Sequence, residues 1–550
     1  YEHAYIARYL GMMLLEGEDL VVESGRVMVR TVSGPRPVSV LWRRLDAAWM
    51  DPLELNDASK LGTPGLVEAV RRGRVTIVNA LGSGYLETRA LLAFMPRLCE
   101  VLRGEELAIP NIRTWWCGEP DNCRRVLENL PGMSLAPALS TMPTLEAAGE
   151  TLDSSQAADK GLAERRRSEG RLLVGQEQVS LSTTPAWADG RLEPRPMTLR
   201  VFLARTQQGW QVMPGGYARI GRGDNPSALA VQRGGSVADV WVVSDQPVDS
   251  DTLLPVRAAA YVRPDPGVLP SRAADNLFWL GRYVERAEDT MRLLRAWHTR
   301  LAEAARDDTP LLADLKLYLE TARIDPDERI PEALHRTLRS AVASAGRVRD
   351  RFAVDGWMAL NDLAATARRM SATVTEGEDA ARALSVLLRK ITGFSGLVHE
   401  NMYRFDGWRF LTIGRSLERA MATSALLAEF AEEDAPEGAL DLAVEVGDSV
   451  MTHRRRYAIT ATRETVVDLL ALDTMNPRSL IYQINELRAQ IDLLPQIERG
   501  GARSPLKRAI LQLHTALAVK APDELSAEEM TACGAQLAEL SDLLSKTYLR

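Results

Sequence analysis

Apolar residues recur along the chain with two different periods, and the change between them falls near residue 270. From Leu269 to Leu294, LPSRAADNLFWLGRYVERAEDTMRLL, the residues Leu277, Leu280, Val284, Ala287, Met291 and Leu294 alternate spacings of three and four. That period lays them along one side of a helix that must bury against a partner. Arg282, Glu285, Arg286 and Asp289 fall on the opposite side. The pattern G-R-x-x-E-R-A of Gly281 to Ala287 reappears at Gly414 to Ala420 as GRSLERA, again followed by an apolar helix. From Ser271 onward the pattern predicts no strand, only successive amphipathic helices forming a bundle of six or more. Asn476 is expected to cap one of these helices, with Pro477 at its first position.

Upstream the pattern mixes strand and helix. Residues 18 to 31 give two β-rich runs around Ser24 and Gly25, a hairpin signal. Val38 to Trp42 is a third run, Pro64 to Arg72 is helical, and Val75 to Ala80 is a short strand ending at NALGSG. That order predicts a parallel α/β unit with a loop at the carboxyl end of a strand, where such folds bind ligands. Gly82 and Gly84, followed by a helix from Glu87, suit either an anion cradle or a plain turn. Ser140 to Gly170 is polar, as surface helices or a mobile loop would be. Strands are expected at Leu172 to Leu181, Met197 to Leu203 and Trp210 to Met213, the first two joined through Asp189 and Gly190. Pro214, Gly215 and Gly216 close this set, and Gln232 to Val243 adds a glycine turn and a last strand. Five prolines from Pro247 to Pro270 mark a linker. The expected division is an α/β unit over 1–110, a β-rich lobe over 111–245, a linker over 246–270 and a helical bundle over 271–550.

Composition narrows the class further. A chain of 550 residues is too long for one core, and 46% apolar with 26% charged residues is the ordinary globular balance. A formal net charge of -7 gives no electrostatic reason to expect nucleic acid, and short basic runs such as Arg454 to Arg456 read as solvated helix faces. No apolar run reaches bilayer length and no leader opens the chain, so no membrane partner and a cytoplasmic location are expected. The chain begins at Tyr1 inside a helical run and reads as a fragment or processed form. Four cysteines are too sparse for a disulfide framework, and six scattered histidines lack metal-ligand spacing.

Particular runs now carry a resemblance. RRLDAAWMDPLEL (43 to 55), GLVEAVRRGRVTIVNALGSGYLE (65 to 87), TWWCGEP (114 to 120), GQEQVSLSTTPAW (175 to 187), VMPGGYARI (212 to 220) and QRGGS (232 to 236) resemble the circularly permuted type 2 ATP-grasp family. The second half, with LPSRAADNLFWLGRYVERAED, DGWRFLTIGRSLERA and NPRSLIYQINELR, resembles the Alpha-E helical domain commonly fused to it. The resemblance implies an α/β ATP-grasp-like part followed by an all-α bundle. It also implies an ATP-dependent carboxylate–amine ligase, of peptide or amide type, acting through an acyl phosphate with ATP and Mg. An amino-acid or peptide substrate, and a protein partner on the helical part, are the expected partners.

By the same resemblance, Gln176, Glu177, Gln178 and Val179 occupy the strand that offers backbone groups and a carboxylate to adenosine; as a bare feature, Glu177 is equally an exposed strand residue. Arg200 stands where the fold directs a cation at phosphate, although an arginine alternating with apolar strand residues otherwise reads as surface. Arg43 and Arg44 fit a bidentate oxyanion clamp or a pairing with Asp46 or Asp51. Gly215 and Gly216 allow close backbone approach or a tight turn. Ala136 stands where the family places a lysine, and alanine cannot hold a phosphate charge. The family's metal-binding stretch belongs ahead of Tyr1 in the permuted order, with no substitute in residues 1–550, so the metal ligands are unknown. These departures imply an impaired ligase or a degenerate ATP-grasp acting as a binding or scaffold module. In the helical half, Arg282, Glu285 and Arg286, like Arg415, Glu418 and Arg419, have the spacing to pair along their own helix. They are expected either to pair within the bundle or to hold an anionic ligand or acidic peptide between the two helices.

Overall fold

The computed structural model describes residues 2–141, 170–188, 190–221, 235–247, 267–303, 309–457, 460–495 and 504–549. Contacts divide the chain into two compact units: Tyr1–Leu41, Trp49–Thr76 and Arg263–Arg550 form one, and Trp42–Ala48 with Ile77–Val262 the other.

The first unit opens with helix α1 (Glu2–Leu10) and the expected hairpin of β1 (Leu20–Glu23) and β2 (Arg26–Val29), in register Leu20↔Val29 to Glu23↔Arg26. Ser24 and Gly25 take φ of 50° and 72°, the left-handed pair that a tight hairpin needs to match strand twist. A short β3 (Arg36–Pro37) pairs with β2. Then β4 (Val40–Trp42), helix α2 (Leu66–Arg71) and β5 (Thr76–Val78) follow in the expected strand, helix, strand order. The Thr76 amide donates to the Ser39 carbonyl at 2.9 Å and the Arg43 amide to that of Val78 at 2.5 Å. Both strands therefore ascend together, which is parallel pairing. Asp51, fully buried, accepts the amides of Gly65 (3.2 Å) and Val67 (3.0 Å), so its carboxylate satisfies orphan donors at the start of α2.

In the second unit the glycines of NALGSG lie in a 3-10 helix (Leu81–Glu87), and the helix behind it, α3 (Arg89–Leu92), is one turn long. Helix α4 (Met95–Arg103) leads to β6 (Thr114–Trp116), helix α5 (Pro120–Glu128), β7 (Met133–Pro137) and β8 (Leu173–Glu177). β8 lies between β6 and β7, antiparallel to both. Gly118 and Gly175 are there for space: a Cβ would lie 2.2 Å from the Trp116 ring and 2.6 Å from Val126 respectively. The polar stretch between β7 and β8 lies largely outside the described residues, as does most of the proline-marked linker.

Two expectations about the β-rich lobe need correction. The run from Leu172 to Leu181 is not one strand, because its partner β7 reaches only to the Met133↔Glu177 pair. The hairpin partner of β10 (Arg191–Thr206) is instead β9 (Thr183–Ala188), with β11 (Gly209–Ile220) and β12 (Ser236–Trp241) completing a four-stranded antiparallel sheet. Nor do Pro214, Gly215 and Gly216 form a closing turn. They lie within β11, opposite a register shift between Val201 and Leu203 in β10. A bulge asks for no ladder donor where Pro214 lacks one. A Cβ on Gly216 would sit 2.2 Å from the Arg200 carbonyl, so glycine is required by strand contact.

Beyond residue 267 the described residues contain helices and no strand. The founding helix α6 (Ser271–Glu303) packs against α8 (Glu332–Arg347), α10 (Glu378–Asn401) and α11 (Asp406–Phe430), while α7 (Pro310–Thr321) and α9 (Val354–Ser371) lie between these in sequence. The chain then adds α12 (Ala439–Val446), α13 (Val450–Arg456), α14 (Arg463–Val467), α15 (Leu480–Asp492), α16 (Pro505–Ala518) and α17 (Ala527–Tyr548). The six periodic residues of α6 are all buried, but so are Arg282, Glu285, Glu288 and Arg292. Its charged side is thus a second packed face, because α6 is central rather than peripheral. At its head, Arg272 clasps Asp19 through two bonds of 3.0 and 2.8 Å, tying the helix to the segment before β1. One cap differs from expectation: α15 starts three residues later, with the Ser479 hydroxyl accepting the Tyr482 amide at 3.2 Å. Asn476 is buried and instead donates to the Leu469 carbonyl (2.9 Å) and the Ser449 hydroxyl (3.2 Å).

Candidate functional site

The residues expected to meet nucleotide divide into two groups within the second unit. Gln176 points inward on β8, donating to the Thr114 hydroxyl at 3.0 Å in a buried pair. Glu177 is exposed at the end of β8, its carboxylate 3.9 Å from Arg113. Gln178 donates its amide to the Gly132 carbonyl at 3.0 Å, and Val179 is 41% exposed just past the ladder. Strand pairing therefore ends where Glu177 to Val179 begin to present surface. The other group is on the second sheet, where Arg200, exposed, pairs in register with Tyr217 and stands 5.9 Å over its ring. Gly216 lies directly beside the Arg200 backbone.

Arg43 is engaged locally: its Nε donates to the Asn79 carbonyl (3.1 Å) and its Nη1 to that of Leu45 (2.7 Å). That use braces the strand ends. Arg44 is exposed beside it. Ala136, opposite Val174 in the β7–β8 ladder, is buried in a small apolar cluster with Ala138 and Val174. Sequence reasoning passed over Arg89, a buried cation whose amide donates to the Ser140 carbonyl (3.1 Å) just past β7. An arginine following a glycine run was the signal available for it. Among the described residues no group of three or more His, Cys, Asp or Glu is placed to hold a metal. All four cysteines are free.

The repeated motif resolves into a reciprocal crossing of α6 and α11. A Cβ on Gly281 would lie 2.2 Å from the Leu411 carbonyl, and one on Gly414 would lie 2.1 Å from that of Phe278. Each glycine lets its own backbone touch the other helix one turn before the partner glycine. From that contact the charges exchange. Arg419 bonds Glu285 at 2.5 and 2.8 Å; Arg286 and Arg282 each bond Glu418 at 2.6 Å. The charges pair within the bundle, one of the two expected outcomes, and they do so across the two helices rather than along each one. Arg282 also lies 5.1 Å from the centre of the Trp279 ring and donates to the Ser541 hydroxyl at 3.1 Å.

The network extends along α6. Arg478, from the turn before α15, reaches Glu285 (3.6 Å) and bonds Glu288, and Arg292 holds Glu288 at 2.9 Å. Burial alone would raise the Glu288 pKa, but the adjoining Arg478, Arg419 and Arg292 outweigh it and hold the carboxyl at about 2. Asp289 shows the opposite balance: burial first, then the charges of Glu285 and Glu418, push it up to about 7. His298, inside the same helix, is lowered by burial.

Antiparallel sheets in a mixed α/β part, followed by a bundle built on crossed arginine–glutamate helices, define a protein with an ATP-grasp-like part and a helical domain. Residues 1–221 match the family described as circularly permuted ATP-grasp type 2, and residues 269–549 match that described as a predicted alpha-helical domain with a conserved ER motif, Alpha-E. Over its larger, second part the chain belongs to the Alpha-E family. The E-R dipeptides of the crossing, Glu285–Arg286 and Glu418–Arg419, fit that description. An uncharacterized protein of Mycobacterium tuberculosis (strain ATCC 25618 / H37Rv) is 30% identical over 589 residues, covering 99% of this chain and 65% of the relative. A second from that strain is 31% identical over 244 residues, 44% of each chain. One from Synechocystis sp. (strain ATCC 27184 / PCC 6803 / Kazusa) is 30% identical over 243 residues, covering 44% of this chain and 50% of its own. The chain thus spans about two thirds of the length of the first of these. Among the described residues no helix is long and apolar enough to cross a membrane.

Proposed function

We infer that the N-terminal part is the nucleotide-holding portion of an ATP-dependent carboxylate–amine ligase, with the helical bundle positioning an acceptor or a partner protein. The observation that carries this reading is the end of β8: the ladder stops at the Met133↔Glu177 pair, and Glu177 to Val179 are exposed, which leaves their side chains and that strand end accessible to a base. Arg200 supports it, because among the described residues its guanidinium has no hydrogen bond or ion pair and is placed by the Tyr217 ring. In such a ligase ATP supplies the phosphoryl group that activates a carboxylate for attack by an amine. The contribution of this chain would be to seat the base at Glu177 to Val179 and to offset phosphate charge with Arg200. Arg43, already holding Asn79 and Leu45, fits a bracing role better than a clamp.

A second reading, a non-catalytic binding or scaffold module, is favoured by Ala136, which fills a buried apolar site where a phosphate-binding lysine is expected. Calorimetric titration of the full chain with ATP and magnesium separates the two. The ligase reading expects saturable heat that is weakened in Glu177→Ala and Arg200→Ala. No heat and no shift in melting temperature would leave the scaffold reading.

A further inference from the structure

The arginines of the repeated motif are occupied by carboxylates, but two turns further along α6 the balance changes. Arg292 and Arg295 of α6, with Ser385, Leu388, Arg389 and Thr392 of α10 and with Asp448, line a cleft of about 400 Å³. The spacings place these residues on the facing stripes of two packed helices: 292 and 295 on one, 385, 388, 389 and 392 on the other. Three guanidinium groups thus meet a single lining carboxylate. Arg292 is committed to Glu288 at 2.9 Å and to Asp448 at 3.1 Å. Among the described residues, the guanidinium groups of Arg295 and Arg389 have no hydrogen-bond or ion-pair partner. The Ser385 and Thr392 hydroxyls donate back to their own helix, to Ala381 and Leu388, each at 2.9 Å. The donors that a ligand would meet are therefore the arginines.

Like charges on one wall repel, and guanidinium forks with open donors match oxyanions in pairs. The volume falls within the range of small-molecule sites. Asp448 is held against Arg292 from a left-handed residue of φ 51°, and it occupies coordination that an incoming anion would use.

We propose that this cleft binds a small ligand carrying two or more oxyanion charges, phosphoryl or carboxylate. The test is calorimetric titration of the full chain at low ionic strength with inorganic pyrophosphate and, separately, with citrate. One site per chain is expected. Arg295→Ala and Arg389→Ala should each weaken binding by about tenfold, the loss of one charge-assisted contact. Asp448→Asn should tighten it, and Arg382→Ala, on α10 but outside the cleft, should leave it unchanged. Unaltered melting temperatures without ligand show that each variant is folded. Saturable binding of pyrophosphate alone assigns the site to phosphoryl groups, and of citrate alone to carboxylates. Absence of binding for both probes, or equal affinity in the Arg295→Ala and Arg389→Ala variants, overturns the proposal.

Discussion

Replacing Glu285 with alanine removes the carboxylate on which Arg419 closes at 2.5 and 2.8 Å, and to which Arg415 and Arg478 lie at 3.6 Å. The Glu285 side chain is only 2% exposed and that of Arg419 only 16%, so neither charge recovers full hydration when its partner is lost. Removing one member of a buried pair typically costs about 3–5 kcal/mol, most of it the penalty of the stranded charge. Glu288 remains within 4.0 Å of Arg419 and softens that penalty, which favours the lower end of the range. At roughly 2 °C per kcal/mol for a domain of this size, Glu285→Ala should lower the bundle's melting temperature by about 6 °C. The assay is a thermal scan of the full chain followed by far-UV circular dichroism, with Glu378→Ala as control. Glu378 pairs with Arg382 at 3.1 Å, but both side chains are more than two thirds exposed, and no measurable loss is expected there. The double variant Glu285→Ala/Arg419→Ala should lose at least about 1 kcal/mol less than the sum of the single variants, because neither member of the closest pair is left facing the other's absence. A Glu285→Ala loss no larger than that of the control, or strict additivity in the cycle, would refute the reciprocal pairing as a source of stability.

Two further outcomes follow from the same helices. Gly281→Ala places a methyl group 2.2 Å from the Leu411 carbonyl, where backbone must move, and should destabilise by roughly 1–3 kcal/mol. Gly393→Ala, exposed on α10 with nothing within 4 Å of the new carbon, should instead stabilise by about 0.5–1 kcal/mol in denaturant melts; equal signs would contradict the crossing. Asp289, raised to about 7 in the folded protein, favours folding fully below its unfolded value and loses that contribution as pH rises through 7. Asp289→Asn should therefore gain on the wild type by about 1–3 kcal/mol between pH 4 and 8, a range discounted for partial exposure, whereas a difference independent of pH would remove the burial argument.

Much of this protein was legible in its sequence where the signal is local and periodic. The hairpin at Ser24 and Gly25 needs only two residues able to take positive φ, and it formed where the pattern placed it. The buried stripe of α6 follows from spacing alone, since 3.6 residues per turn fixes which side chains share a face. The resemblance of both halves was likewise carried by short runs whose order is itself sequence. What the sequence could not fix was the partner of each face. Spacing allowed Arg282, Glu285 and Arg286 to pair along one helix, and only the approach of α11 over Gly281 and Gly414 put Glu418 and Arg419 nearer. The same holds for Gly216, a turn signal by type, which tertiary pairing uses to admit the Arg200 backbone, and for Asn476, displaced as a cap by a serine three residues on. Periodicity states that a face is buried or charged. Which groups meet across it depends on helix crossings and strand registers, which are set by contacts between residues far apart in the chain.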